Sequence, residues 1–309
     1  MGFSNTSVGL ALPLCGLILS CATVPAEAAD GRPFTATVAV GTQYDSNVSI
    51  EEADINLRRG DPGILFSATA SYTPVAETQG TIRLGYSYDA IFNQDLHEFD
   101  LEIHTLTASG SYKFGKVQVG LDYRYNNVQL GRAPYLVMHS ASPSVSAFVT
   151  PRLFIRAAYT GTDRQFTTFD KLDGTSQTLA IDAYRFTGRR RGYLAVGLRR
   201  DVEDTTAREF RFDGWQVSAR AQVPVKLGRT RLKARLAYTF GERHYSDVTP
   251  SIGIRREERR STWTGGVDLG ITGNLTLKPQ LRLTDRDSNV RVYDYRETVV
   301  STVLSLKLR

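Results

Sequence analysis

Cysteine is nearly absent: the 309 residues hold only Cys15 and Cys21, both inside an N-terminal apolar stretch, and none follows. A chain processed beyond that stretch has no thiol, which excludes disulfides and cysteine metal sites. Long apolar runs are missing too. Outside residues 8–24 nothing approaches the roughly 20 apolar residues a membrane helix needs, so any membrane residence must use strands. Methionine is scarce, at two residues, whereas 15 Tyr, 14 Phe and 26 Gly fit a β-rich chain with aromatic residues at strand ends. Basic residues are lacking from the N-terminus, the first being Arg32.

The N-terminal stretch reads as an export leader. Val8 to Ser20 form its apolar region, and Ala26-Glu27-Ala28 before Ala29 is a small-residue cleavage site. This predicts a signal peptide over 1–28 and a short periplasmic segment over 29–33. The uncharged start is atypical and puts the start codon in question. Ile18-Leu19-Ser20-Cys21 forms a competing lipobox in which Leu19 fits poorly. Met1-Gly2 with Thr6 matches a myristoylation pattern, which a bacterial-type leader makes a false positive.

From Pro33 to Arg309 apolar and polar residues alternate over segments of about 10 residues, the pattern of strands with two different faces. One segment sets Phe34, Ala36, Val38 and Val40 against Thr35, Thr37, Ala39 and Gly41; another sets Ile82, Leu84, Tyr86 and Tyr88 against Arg83, Gly85, Ser87 and Asp89. Alternation alone fits a soluble sandwich equally well. The polar faces, however, are mostly Ser, Thr, Gly, Gln and isolated charges, and the apolar faces often end in aromatic residues such as Trp215 and Trp263. Short links near 74–79, 115, 150–152, 188–192, 226–229 and 272–274 alternate with long loops near 45–62, 93–100, 127–135, 163–176, 203–211, 243–258 and 286–295. These features predict an all-β, transmembrane, antiparallel up-and-down barrel over 34–309 in the bacterial outer membrane. About fourteen strands are expected, with twelve and sixteen as the neighbouring even counts.

Several motifs carry less than they promise. Gly110-Ser-Tyr-Lys-Phe-Gly115-Lys116 matches a phosphate loop until Val117 replaces the Ser or Thr needed for magnesium, and it sits between strands rather than before a helix. Asp285-Arg-Asp287-Ser-Asn289 begins like a calcium loop, but Val290 stands where the sharp turn requires Gly. His97, His104, His139 and His244 are scattered without metal-ligand spacing. No G-x-S-x-G element is present, so neither an enzyme nor a cofactor is expected. The basic runs Arg189-Arg190-Arg191 and Arg255-Arg256-Glu257-Glu258-Arg259-Arg260 fall at strand ends, where contact with outer-membrane lipid and lipopolysaccharide phosphates is expected. No recognition element accompanies them, so nucleic acid is not an expected partner.

If the apolar faces meet lipid, the opposite parity sends Arg83, Arg124, Arg156, Arg199, Arg220, Lys233, Arg235, Lys278 and Arg282 into the lumen, with Asp89, Asp122, Asp182 and Asp268. One reading is a solvated, mutually paired interior. The other is a cationic conduit for an anionic passenger, because low-dielectric walls focus the field of like charges. The tetrapeptide Asp-Ser-Asn-Val occurs twice, as Asp45, Ser46, Asn47, Val48 and as Asp287, Ser288, Asn289, Val290. Both copies are expected at the extracellular rim beside the seam of first and last strands, either as turn caps or as a shared ligand or partner site at a lateral exit.

Tyr44-Asp-Ser-Asn47-Val48, Ala133-Pro-Tyr135, Phe212-Asp-Gly-Trp215, Asp287-Ser-Asn-Val290 and Tyr293-Asp-Tyr-Arg296 together resemble the C-terminal barrel of the surface lipoprotein assembly modifiers, called Slam. The resemblance implies translocation of a client lipoprotein to the cell surface, with a periplasmic repeat protein as partner. Slam chains carry their own repeat domain before the barrel. Here only about five residues separate the expected cleavage site from the first strand, so a separate repeat protein would supply that part. The chain ends Leu306-Lys-Leu308-Arg309 rather than in an aromatic residue, yet insertion by the barrel assembly machinery is expected. The alternative function is a porin-like passive channel for small anionic solutes.

Overall fold

The computed structural model describes residues 33–50, 55–187, 192–227, 230–250 and 252–308. The expected leader over 1–28, the segment 29–32 and the Arg189–Arg191 run lie outside the described residues. Strands β1 (Phe34–Asp45), β4 (Asp61–Ala76), β5 (Gly80–Asn93), β6 (Leu101–Phe114), β7 (Val117–Leu130), β8 (Ala133–Thr150) and β9 (Leu153–Phe166) form the first half of a closed barrel. The second half is β10 (Gly174–Thr187), β11 (Gly192–Thr205), β12 (Phe212–Leu227), β13 (Thr230–Thr249), β14 (Ile254–Gly270), β15 (Leu275–Ser288) and β16 (Tyr295–Leu308). A two-stranded ribbon, β2 (Ser49–Ile50) with β3 (Ile55–Asn56), sits in the first outer loop. The barrel therefore has fourteen antiparallel strands and closes by pairing β1 with β16 from Ala36↔Leu308 to Asp45↔Val299. Closure leaves no sheet edge, so every backbone ladder is satisfied within the wall, as hydrocarbon surroundings demand.

The alternation of the sequence becomes the two faces of that wall. Phe34, Val40, Ile64, Leu121, Leu194, Val196 and Val300 are exposed on the outside. A continuous outer surface of this kind, which water would disfavour, suits lipid. Phe34, Tyr72, Tyr112 and Phe114 end the outer faces at the short-turn side, and Tyr44, Trp215 and Trp263 lie toward the loop side. Tyr86 and Tyr123 share this wall and bond His104 Nδ1 and His139 Nδ1 at 2.8 and 2.7 Å.

Two expected long loops are strand instead. β7 reaches Leu130 and β8 starts at Ala133, the chain reversing through Gly131 and Arg132 at φ 57° and 66°, a two-residue turn with both central residues left-handed. Likewise β13 runs to Thr249 and β14 starts at Ile254, Gly253 taking φ 67°. The barrel strands range from 12 residues in β1 to 20 in β13, beyond the roughly 9–11 that a tilted strand needs to cross the bilayer. Above the membrane both faces can be polar without breaking the ladder; Asn127 and Arg243 are polar residues in continuous strand rather than loop.

The outer third of the interior is packed with apolar side chains. Leu65, Ile91, Leu101, Ile103, Val128 and Met138 share the lumen parity of their strands and form a buried cluster with Leu136, Phe166 and Val303. Ile50 of the first outer loop joins this cluster, as does Leu172 from the short 3₁₀ turn Asp170–Leu172, while Phe99 and Phe210 of two other turns pack against it. The first loop is thus folded inward, and the outer mouth is narrowed by a small hydrophobic core.

Candidate functional site

Below that core the interior wall is polar and charged. Register places every expected lumen cation on the face opposite the outward apolar residues. Arg83 lies across from Ser109, Arg124 between Thr107 and Ser140, and Arg199 between Ala180 and Gln216. Arg156 pairs with Asp122 at 3.4 Å, and Arg282 with Glu297 at 3.3 Å. Arg220 pairs with Asp182 and lies 5.5 Å from the centre of the Tyr184 ring.

Nearer the short-turn end, Arg235 is 2.8 Å from Asp268, and Lys233 is the cross-strand partner of the same carboxylate. Lys278, from β15, lies within electrostatic reach of Asp268, Arg235 and Lys233. Three cations are therefore gathered around Asp268 on this stretch of wall. The neighbouring wall, β8 to β11, carries Phe148, Phe154, Tyr184, Phe186 and Tyr193, all on the lumen face and within ring contact of one another. Arg220 on β12 joins this aromatic patch to the cationic stretch.

Further charged residues inside the barrel lie near or beyond the expected strand ends. Arg286 bonds Glu258 at 2.8 Å, and Arg256 approaches the same carboxylate at 3.4 Å. The Arg256 guanidinium is held 3.6 Å over Tyr245 and 4.0 Å over Tyr293. Arg164 of β9 pairs with Glu203 of β11. Period two, continued through the polar segment 243–258, is the signal that would have found Arg243 and Glu258, both facing the lumen in register.

Both Asp-Ser-Asn copies lie beside the seam, above β1 and β15, which flank β16. Asp45 Oδ1 accepts the Asn47 N–H at 2.9 Å, Ser46 N–H donates to the Thr298 carbonyl at 3.0 Å, and Ser46 Oγ accepts the Thr298 N–H at 2.8 Å. In the second copy, Asn289 accepts the Glu257 N–H at 2.9 Å and donates to the Arg255 carbonyl at 2.8 Å, while Ser288 Oγ accepts the Val290 N–H at 3.2 Å. These bonds fasten β1 to β16 and β15 to β14. The copies are not equivalent, since Asp45 is buried on the inner face and Asp287 points outward. Gly110–Lys116 forms the β6–β7 hairpin, turning at Gly115 with φ 59°.

No known family model matches the chain, and no curated protein sequence matches it either. Its fold is shared with outer-membrane barrels. An anion-selective porin from Comamonas acidovorans superposes with TM-score 0.54 at 9% identity, covering 89% of this chain and 98% of the porin. A bacterial polysaccharide outer membrane secretin gives 0.50 at 11%, covering 89% and 98%, and OmpT, an outer membrane protein of Vibrio cholerae, gives 0.50 at 9%, covering 92% and 100%. At such identities the likeness is one of fold. The chain is a bacterial outer-membrane protein, a closed fourteen-stranded barrel of porin-like architecture.

Proposed function

We propose that the barrel is a non-catalytic conduit for anionic solutes. The observation that carries this reading is the grouping of Lys233, Arg235 and Lys278 around Asp268 on the lumen face. Inside a low-dielectric wall a grouping of cations raises the local anion concentration and repels cations. Arg83, Arg124 and Arg199 place further cations on the lumen face, and the inward-folded first loop narrows the outer end. That an anion-selective porin shares the fold accords with the reading.

The test is the reversal potential of the membrane-extracted protein in planar bilayers under a potassium chloride gradient. Chloride preference supports the conduit; cation preference, or a barrel that inserts without conducting, overturns it.

The second reading is Slam-type export of a lipoprotein client with a separate periplasmic repeat protein. It rests on the short segments quoted above, two of which, 44–48 and 287–290, also serve as strand-end caps. Surface display of a co-expressed lipoprotein, scored by protease shaving with and without the barrel, decides it: barrel-dependent display would replace the conduit reading.

A further inference from the structure

At the loop end of β13 to β16, mostly on the outward face, the wall carries a cleft of about 810 Å³, whose lining also includes Arg260 and Tyr295 of lumen parity. Register defines its floor. Phe240, Ser261, Asp285 and Arg296 are successive cross-strand partners on the outward face. One step higher lie Glu242, Arg259 and Asp287; one step lower lie Tyr238, Trp263, Leu283 and Thr298, with the Tyr238 and Trp263 rings 4.4 Å apart. A charged cleft therefore sits directly on the apolar belt, on the face that meets the outer leaflet.

The charges are arranged to receive an anion. Arg259 and Arg296 reach carboxylates at 3.0 and 3.3 Å, yet their side chains remain 69% and 86% exposed. Arg58 crosses from the first loop and donates to the carbonyls of Arg291 and Asp294 at 2.6 and 3.3 Å. Neither Arg58 nor Arg291 forms an ion pair among the described residues. Arg58 is also held at φ 51°, a left-handed conformation costly for a residue with a side chain, with its N–H bonded to Asn56 Oδ1 at 3.1 Å. Ser46, Asn47 and Asp287, from both copies of the repeated tetrapeptide, edge the same cleft.

We propose that this cleft binds the phosphorylated head of an outer-leaflet glycolipid, whose acyl chains lie over Tyr238, Trp263 and Leu283. The pairing of guanidinium groups above with apolar surface below selects an amphiphile: phosphate oxygens take the guanidinium N–H donors, and chains cover the belt. The proposal is independent of what passes through the lumen.

The chain has two tryptophans, so Trp215→Phe leaves Trp263, beneath the cleft, as the fluorescent reporter. The full barrel in detergent is titrated with bisphosphorylated lipid A, with its dephosphorylated form and with inorganic phosphate. A saturable Trp263 shift with bisphosphorylated lipid A, at least tenfold tighter than with the dephosphorylated form, is expected. Arg58→Gln with Arg291→Gln should weaken it at least tenfold while the heat-modifiable folded band persists. Arg296→Gln, which leaves the first loop untouched, should weaken it as well and stands in if the double variant does not fold. Equal binding of both lipid forms, or unchanged binding in the folded variants, overturns the site. Saturation by inorganic phosphate at the same concentration overturns the lipid assignment.

Discussion

Val217 and Ser218 are neighbours in β12 that face different media, the first exposed on the outer wall and the second turned inward beside Gly197. Arginine at Val217 must enter hydrocarbon, which costs about 2–4 kcal/mol near the bilayer midplane, whereas arginine at Ser218 meets a polar interior and should cost far less. Urea unfolding in lipid vesicles measures the difference, and equal losses would show the facing to be wrong. At the rim, Asn289→Ala removes an acceptor from Glu257 and a donor to Arg255. This should cost about 1 kcal/mol, because each bond is exposed and worth that order or less. The same measurement on the loop side of the barrel checks it.

At the scale of elements, the first outer loop is held by Ile50 in the apolar core and by Ser49 Oγ donating to Glu297 at 3.0 Å. Replacing residues 48–57 with a short Gly-Ser turn should raise single-channel conductance while leaving ion preference unchanged, since the cationic stretch lies at the other end. Period two made the strands legible, and parity alone separated Phe34 from Thr35 or Val217 from Ser218. It did not reveal the outer core. Leu65, Ile91, Ile103 and Val128 occupy positions where a wet lumen would call for polar residues, because inward-folded loops cover them. The trace in the sequence is local loss of alternation, as in Tyr135-Leu-Val-Met138, where apolar residues of both parities signal a wall covered on both sides. Strand ends were misjudged for a related reason: Arg243 and Glu258 stand in a polar stretch that still pairs.

For the whole molecule, the conduit reading makes selectivity a property of a few charges. Lys233→Glu with Lys278→Glu should carry the reversal potential toward cation preference, with the barrel still inserting. Preserved chloride preference would move the selective stretch elsewhere. A disulfide across the seam is a separate check, because no cysteine follows Cys21. Thr42 and Thr302 are register partners on the outer face. Thr42→Cys with Thr302→Cys, oxidised, should leave conductance intact, and its loss would show that transport opens the wall there. The seam has a kinetic consequence as well. Every other barrel pairing joins wall strands that follow one another along the chain, whereas β1 and β16 meet from opposite ends of it. Local hairpins can form early, but the ring closes through one contact of very large sequence separation, whose loop entropy must be met before it is rewarded. Ser46, bonded to Thr298 through its own N–H and through its Oγ, sits where that pairing ends. Its replacement by Ala should slow the appearance of the closed, heat-modifiable form more than it hastens its unfolding, making the rim serine a latch of the final folding step.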